Sequence, residues 1–216
     1  MTLTVYLHPM SSFCQKVLIA LYESGAAFEP VIVDLGNETS RGDFLKIWPI
    51  GKFPVLRDEA RDRLVPESSI IIEYLALHHP GRSALMSADA ETARDIRLLD
   101  RFYDHYVSEP MQKIVGDRLR PAGQRDAFGV AAARAGLNTA YALIDAQMAT
   151  RTWALGADFT MADCSAAPAL FYAEKVQPFR GQYPNIAAYF DRLQQRPSYA
   201  RVLCEAEPYL KIFPEE

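Results

Sequence analysis

Cysteine is scarce in this chain. Only Cys14, Cys164 and Cys204 occur among 216 residues, an odd number spread far apart. That excludes a disulfide framework and fits reduced thiols, so a cytoplasmic location is expected. Histidine is almost as rare, with four residues, and no Cys/His cluster has metal-ligand spacing; His78 and His79 precede Pro80-Gly81 at an expected helix exit. No metal site is therefore expected. Basic excess is missing too: the net charge is -4, and no run of like charge marks a solvated tail. A nucleic-acid partner is excluded on those grounds. No apolar stretch reaches membrane-spanning length, and no basic segment followed by a long apolar one opens the chain, so neither a membrane span nor a signal peptide is expected. Internal repeats and low-complexity segments are absent as well.

Half of the residues are hydrophobic, enough for one large domain or two small ones. The first eighty residues alternate between two periods. "TLTVYL" reads as a strand, residues 12 to 24 as a helix stopped by Gly25, and "FEPVIVDL" as a second strand rich in β-branched residues. "DFLKIW" is a short helical turn ended by Pro49, "FPVLRD" and "RLV" are two strands joined by a charged turn, and "ESSIIIEYLAL" is a helix. The order β-α-β-α-β-β-α predicts a parallel pair across the first helix and an antiparallel hairpin later, hence a mixed sheet covered by helices. Residues 80–86 carry Pro, Gly and Ser without periodicity and read as a linker. Beyond it, residues 88 to 118, 125 to 149, 160 to 176, 184 to 195 and 198 to 206 repeat their apolar residues every three or four positions. The expected domains are thus a small α/β unit over 1–79 and an all-α unit over 87–216. "FTMADC" predicts a capping box, with Thr160 as N-cap, Asp163 in the Glu role and Phe159 as hydrophobic staple.

Three stretches carry chemistry. "HPMSSFCQKV" opens the first helix, whose free N–H groups and partial positive charge favour an anion, a thiolate included. Ser11 there is either an N-cap or a hydroxyl donor to a bound sulfur. In "WPIGKFPVLRD", Phe53-Pro54 precedes a strand. The bond is either an ordinary trans proline at an edge or a cis peptide, and the cis form would turn neighbouring backbone groups outward to pair with a peptide at Val55. In "LVPESSIII", Ser68 either caps a helix or, with the helix N–H groups, binds a carboxylate, while Glu67 pairs with an ammonium group. Together the functional readings describe a short peptide with a free amino-acid end and a central thiol, which glutathione satisfies.

"SSFCQKVLIAL", "FLKIWPIGKFPVL", "VPESSIIIEYL", "FTMADCSAAP" and "RLQQRPSYARV" follow one another with the order and spacing of the cytosolic glutathione S-transferases of serine type, and over essentially its whole length the chain resembles that family. The resemblance implies a thioredoxin-like N-terminal domain with the mixed sheet, an all-helical bundle behind it, and a homodimer serving detoxification. It places Ser11 at the glutathione sulfur, a cis Pro54 between Phe53 and Val55 at the cysteinyl backbone, Glu67 and Ser68 at the γ-glutamyl end, and Lys52, or a basic group near Ser40-Arg41, at the glycyl carboxylate. Glutathione would be the co-substrate, its thiolate attacking an apolar electrophile held by residues of "RFYDHYVSEPMQKIV": Tyr103, Tyr106 and Met111, with His105 and Ile114 beside them. Two alternatives accompany this reading. One is a glutathione-dependent peroxidase or thiol-disulfide oxidoreductase using Cys14, which stands at the second position of a "SSFC" motif whose first cysteine is serine. The other is a non-catalytic dimer that binds glutathione or hydrophobic ligands. Tyr6, at the end of the first strand, is the competing hydroxyl to Ser11.

Overall fold

In the computed structural model, residues 3–81 and 83–214 are described; Arg82 of the expected linker and the outermost residues of the expected domains lie outside them. The first part runs β1 (Leu3–Leu7), α1 (Ser12–Ser24), β2 (Phe28–Ile32), α2 (Glu38–Ile47), β3 (Val55–Asp58), β4 (Arg63–Pro66) and α3 (Ser68–His78). The sheet order is β2-β1-β3-β4, with β1 parallel to β2 and antiparallel to β3, and β3 antiparallel to β4. This is the expected mixed sheet. Period-two alternation in β1 sends Leu3, Val5 and Leu7 into the main core with α1. Tyr6 points to the other face, against Phe44 of α2 with ring centroids 6.1 Å apart. Gly25 ends α1 in the left-handed region (φ 73°), which glycine adopts without a side-chain clash. Gly81 answers a different demand, since a Cβ there would overlap the Ser24 backbone.

The helical part comprises α4 (Ala90–Phe102), a π-helical segment (Tyr103–Ser108), α5 (Glu109–Arg118), α6 (Ala127–Met148), α7 (Met161–Val176), α8 (Pro184–Gln195), α9 (Pro197–Ala206) and a 3₁₀ segment (Glu207–Ile212). Two elements differ from expectation. Helix α2 starts well before "DFLKIW", because the Asn37 side chain accepts the Ser40 N–H at 3.0 Å and caps an earlier, polar turn. The single stretch expected over 88 to 118 is interrupted by the π segment, where the Glu109 N–H reaches the Asp104 carbonyl five residues back.

Helix α7, apolar on nearly every face, runs unbroken through Pro168 at the centre of the helical part. Its capping box forms as the spacing predicts: Asp163 accepts the Thr160 N–H at 2.8 Å, and Thr160 accepts from Ala162 at 3.3 Å. Asp163 also takes the Ala154 N–H and the Tyr189 hydroxyl, at 2.8 and 2.7 Å, so one buried carboxylate ties α7 to α8 and to the preceding loop. Helix α1 packs on α3 to one side and on α7 and α9 to the other. The helical part therefore fixes the orientation of α1, and with it the start of α1, where the chemistry expected from the sequence lies.

Candidate active site

Ser11 precedes the first residue of α1 with extended backbone angles (φ -76°, ψ 123°), and its Oγ accepts the Cys14 N–H at 3.4 Å. The N-cap reading is therefore realised in the geometry. It does not compete with the functional one. Capping uses a lone pair of the hydroxyl oxygen and leaves the O–H free to donate.

Two cavities meet around this helix start. A polar cleft of 390 Å³ is lined by Phe13, Trp48, Lys52, Phe53, Pro54, Glu67, Ser68, Arg101, Asp104, His105, Glu109 and Gln112. A mostly apolar pocket of 380 Å³ is lined by Met10, Ser11, Ser12, Phe13, Met111, Gln112, Val115, Gly116, Leu119, Tyr172, Ile212, Phe213 and Pro214. Phe13 and Gln112 border both. The cleft thus gathers five residues singled out in the sequence, Lys52, Phe53, Pro54, Glu67 and Ser68, while Ser11 and Met111 stand in the pocket. Val55, the first residue of β3, is fully buried behind them, next to the cis peptide Phe53-Pro54.

Glu67 occupies the N-cap position of α3 with φ 70° and ψ 120°, uses its side chain for no cap bond, and is exposed. A non-glycine residue there costs on the order of 1–3 kcal/mol, and such strain clusters where ligands are held. Ser68 and Ser69 follow as the first residues of α3.

Beneath that wall lies a buried ionic network. The Lys16 ammonium, on α1, meets Asp100 at 2.6 Å, Asp104 at 2.8 Å and the Ser69 hydroxyl at 2.9 Å. Ser69 donates in turn to Asp100 at 2.7 Å, Ser165 donates to the same carboxylate, and Arg101 donates to Ser69 at 3.2 Å. Burial raises the Asp104 carboxyl above its ordinary range, and the Asp100 charge adds to this, although Lys16 pulls the other way. Asp104 and Arg101 also face the cleft, so the network couples α1, α3, α4 and the π segment to the cleft wall.

Cys14 is fully buried, and that burial pushes its thiol up to about 12 against the opposing effect of hydrogen bonds from Ser11 and His8. At neutral pH it is a packed thiol, not a thiolate. His8 stacks on Phe53 (centroids 6.3 Å, 24°) and meets Tyr209 edge-on at 5.0 Å; burial lowers its pKa. Tyr6, on the α2 side of the sheet, borders neither cavity.

The expected electrophile wall needs correcting. Tyr103 is 2% exposed and packs in the core against Phe102, and Ile114 is equally buried. Tyr106 is 60% exposed but borders neither cavity. His105 faces the cleft, where it pairs with Glu109 at 2.6 Å. Of the expected residues Met111 does line the apolar pocket, joined at one-turn spacing by Val115 of α5 and Leu119 just past its end, with Tyr172 of α7 and the segment Ile212–Pro214. Tyr172 stacks on Phe213 (5.6 Å, 25°) and donates its hydroxyl to the Met10 carbonyl at 2.6 Å. The Met111, Val115, Leu119 spacing was available in the sequence as a signal. Nothing periodic marks residues 212–214.

Among the described residues no group of His, Cys, Asp and Glu could hold a metal ion, and no helix is long and apolar enough to cross a membrane. The fold and the paired cavities define a two-part enzyme class: a thioredoxin-like unit with a polar cleft, and a helical unit that walls an apolar pocket. Residues 5–83 match the family model for the glutathione S-transferase N-terminal domain, and residues 127–192 match that for the C-terminal domain. The chain belongs to the glutathione S-transferase family, and its activity is that of a glutathione transferase. It is 27% identical over 197 residues to glutathione S-transferase GstB of Escherichia coli strain K12, covering 89% of this chain and 93% of that protein. A glutathione S-transferase of Methylobacterium radiotolerans JCM 2831, solved in complex with glutathione sulfonate, superposes with a TM-score of 0.82 at 28% identity, covering 94% of each chain. One from Methylobacillus flagellatus KT, solved with glutathione bound, gives 0.85 at 22% identity over 93% of this chain and 98% of that one.

Proposed function

We propose that this enzyme ionises the glutathione thiol at the start of α1 and passes the thiolate to an apolar electrophile in the adjoining pocket. One observation carries the reading: Ser11, at the free N–H groups of α1, stands in the apolar pocket beside Phe13, which that pocket shares with the polar cleft. The tripeptide lies in the cleft. Its γ-glutamyl ammonium meets Glu67, its carboxylate meets Ser68 and the start of α3, its backbone runs past Pro54 at Val55, and Lys52 meets the glycyl carboxylate. Residues 1–79 supply most of that cleft and 87–216 most of the pocket. That relatives were solved with glutathione or its sulfonate bound supports glutathione as the co-substrate.

Ser11 then stabilises the thiolate and forms no covalent bond with it. A charge-assisted hydrogen bond of about 1.5–3 kcal/mol lowers the thiol pKa by roughly one to two units at about 1.4 kcal/mol each. From an ordinary value near ~8.5, that raises the ionised fraction at neutral pH by roughly one order of magnitude. The Cys14 redox alternative loses ground, because a fully buried neutral thiol is neither a nucleophile nor open to peroxide. We further propose a cytoplasmic homodimer acting in detoxification, joined through the exposed apolar Ile70 and Leu77 of α3 and Leu98 of α4.

The test is the ultraviolet absorbance of the bound thiolate against pH. Wild type should show a depressed thiol pKa that returns toward the solution value in Ser11→Ala. Ser11→Gly, which retains most of the cap stability, should behave alike. A shift that survives both substitutions refutes the role of Ser11. Tight binding with no turnover of varied electrophiles would leave a binding module.

A further inference from the structure

We infer that Gln112 is the residue that binds the reacting end of the electrophile, and that the site favours conjugated acceptors, such as α,β-unsaturated carbonyls, over substrates that expel a leaving group. This rests on the glutathione reading above and adds the substrate class. Phe13 and Gln112 alone border both the polar cleft and the apolar pocket among the described residues, so both flank the point where sulfur and electrophile meet. Of the two side chains, only that of Gln112 can donate a hydrogen bond.

The other polar groups of the pocket are committed or buried. The Tyr172 hydroxyl donates to the Met10 carbonyl and accepts from Gln15 at 3.1 Å. Ser11 serves the helix cap and the sulfur, and Ser12 is buried. One turn before Gln112, Glu109 is paired with His105. Gln112 itself is exposed, and among the described residues its amide makes no hydrogen bond.

No residue lining the pocket is charged. Substitution would release an anion against a lining that itself offers no cation, which is costly until the anion reaches water. Addition keeps the developing charge on an oxygen that stays attached and can rest at the polar rim. The thiolate sulfur bonds to the β-carbon. The C=C pair shifts toward the carbonyl to form an enolate, whose oxygen accepts the Gln112 Nε2–H as at an oxyanion site. The α-carbon then takes a proton from water, replacing the one the thiol released on ionising, so the net reaction adds glutathione across the double bond.

The experiment compares kcat/KM for benzylideneacetone and for benzyl bromide, at saturating glutathione, in wild type, Gln112→Leu and Gln112→Glu. The two electrophiles are both benzylic in size, and only the first carries a conjugated acceptor. The enone-to-halide ratio should fall about ten- to thirty-fold in Gln112→Leu, less than the roughly hundred- to thousand-fold loss typical of one buried oxyanion donor, because this rim is solvated. It should fall further in Gln112→Glu, where a carboxylate faces the enolate. Thiolate absorbance is recorded on the same samples. A ratio unchanged within about twofold, with the thiolate intact in all three proteins, overturns the Gln112 assignment alone. A ratio that drops only where the thiolate is also lost overturns it too. Absence of bound thiolate in wild type overturns the glutathione reading and this inference together.

Discussion

Replacing Lys16 with methionine keeps most of the side-chain length and deletes a cation on which three elements converge. The ammonium and Asp100 are each 1% exposed, and its three contacts lie within 2.9 Å. Without it, Asp100 keeps the hydroxyls of Ser69 and Ser165 and the Arg101 guanidinium at 3.8 Å, whereas Asp104, among the described residues, keeps only that guanidinium, at 3.7 Å. Stranding a buried carboxylate in this way costs about 3–5 kcal/mol. That is a large part of the roughly 5–15 kcal/mol that stabilises an ordinary fold. The penalty must also depend on pH. Burial already raises the Asp104 carboxyl, and losing Lys16 raises it further. A carboxyl whose pKa is higher in the folded than in the unfolded chain holds its proton in the fold where the unfolded chain has released it. Stability is then greatest below the ordinary carboxyl pKa and falls as pH rises through the raised one. Urea unfolding of wild type and Lys16→Met across a pH series should show a difference that is small near pH ~4 and grows toward neutrality, by about 1.4 kcal/mol per unit of added shift. Glutathione affinity should fall with it, since Asp104 and Arg101 face the cleft. A penalty below about 1 kcal/mol, or one flat with pH, would refute the claim that the network is a charge-balanced unit.

Cys14→Ala should leave the pKa of bound glutathione and any peroxide reduction unchanged while costing about 1–2 kcal/mol of stability for the buried sulfur removed; loss of peroxidase activity with binding intact would restore the redox reading. Sedimentation should give a dimer of the 24.2 kDa chain, and Leu77→Glu should shift it to monomer; a wild-type monomer at micromolar concentration would refute the α3/α4 interface.

Much of the fold could be read from the sequence because local signals and burial agree there. The alternation in "TLTVYL", the Gly25 stop and the Thr160–Asp163 capping box each have one cheap structural solution, and the chain takes it. The cleft residues were legible for a related reason. All but Lys52 sit at a helix start or at the Phe53-Pro54 bond, where backbone chemistry is encoded locally. Tyr103 and Tyr106 were misplaced because the π segment over Tyr103–Ser108 turns less per residue than an α-helix. A stripe carried across it at the α-helical period loses phase, so Tyr103 lies inward and Tyr106 in solvent, while Met111, as expected, and Gln112 and Val115 beside it line the pocket. Asn37 was overlooked as a cap because the turn it starts is polar and buries almost nothing. Ile212–Pro214 could not have been found by periodicity, since their place depends on contacts with Tyr172 and with Arg118, 96 residues away.

That last contact gives the two halves of the site different resistance to heat. The 3₁₀ segment Glu207–Ile212 buries none of its own residues, yet Ile212, Phe213 and Pro214 close the pocket; the segment is held by surface contacts, with Tyr209 against His8, Phe213 on Tyr172 and a bond from Arg118 to the Pro214 carbonyl at 3.0 Å. The cleft instead rests on α1, α3 and the ionic network between them. Partial opening of the 207–214 segment costs far less than global unfolding. It dismantles the electrophile site while leaving the glutathione site standing. On warming, conjugation should therefore fade several degrees before glutathione binding does, as two separate transitions in one polypeptide.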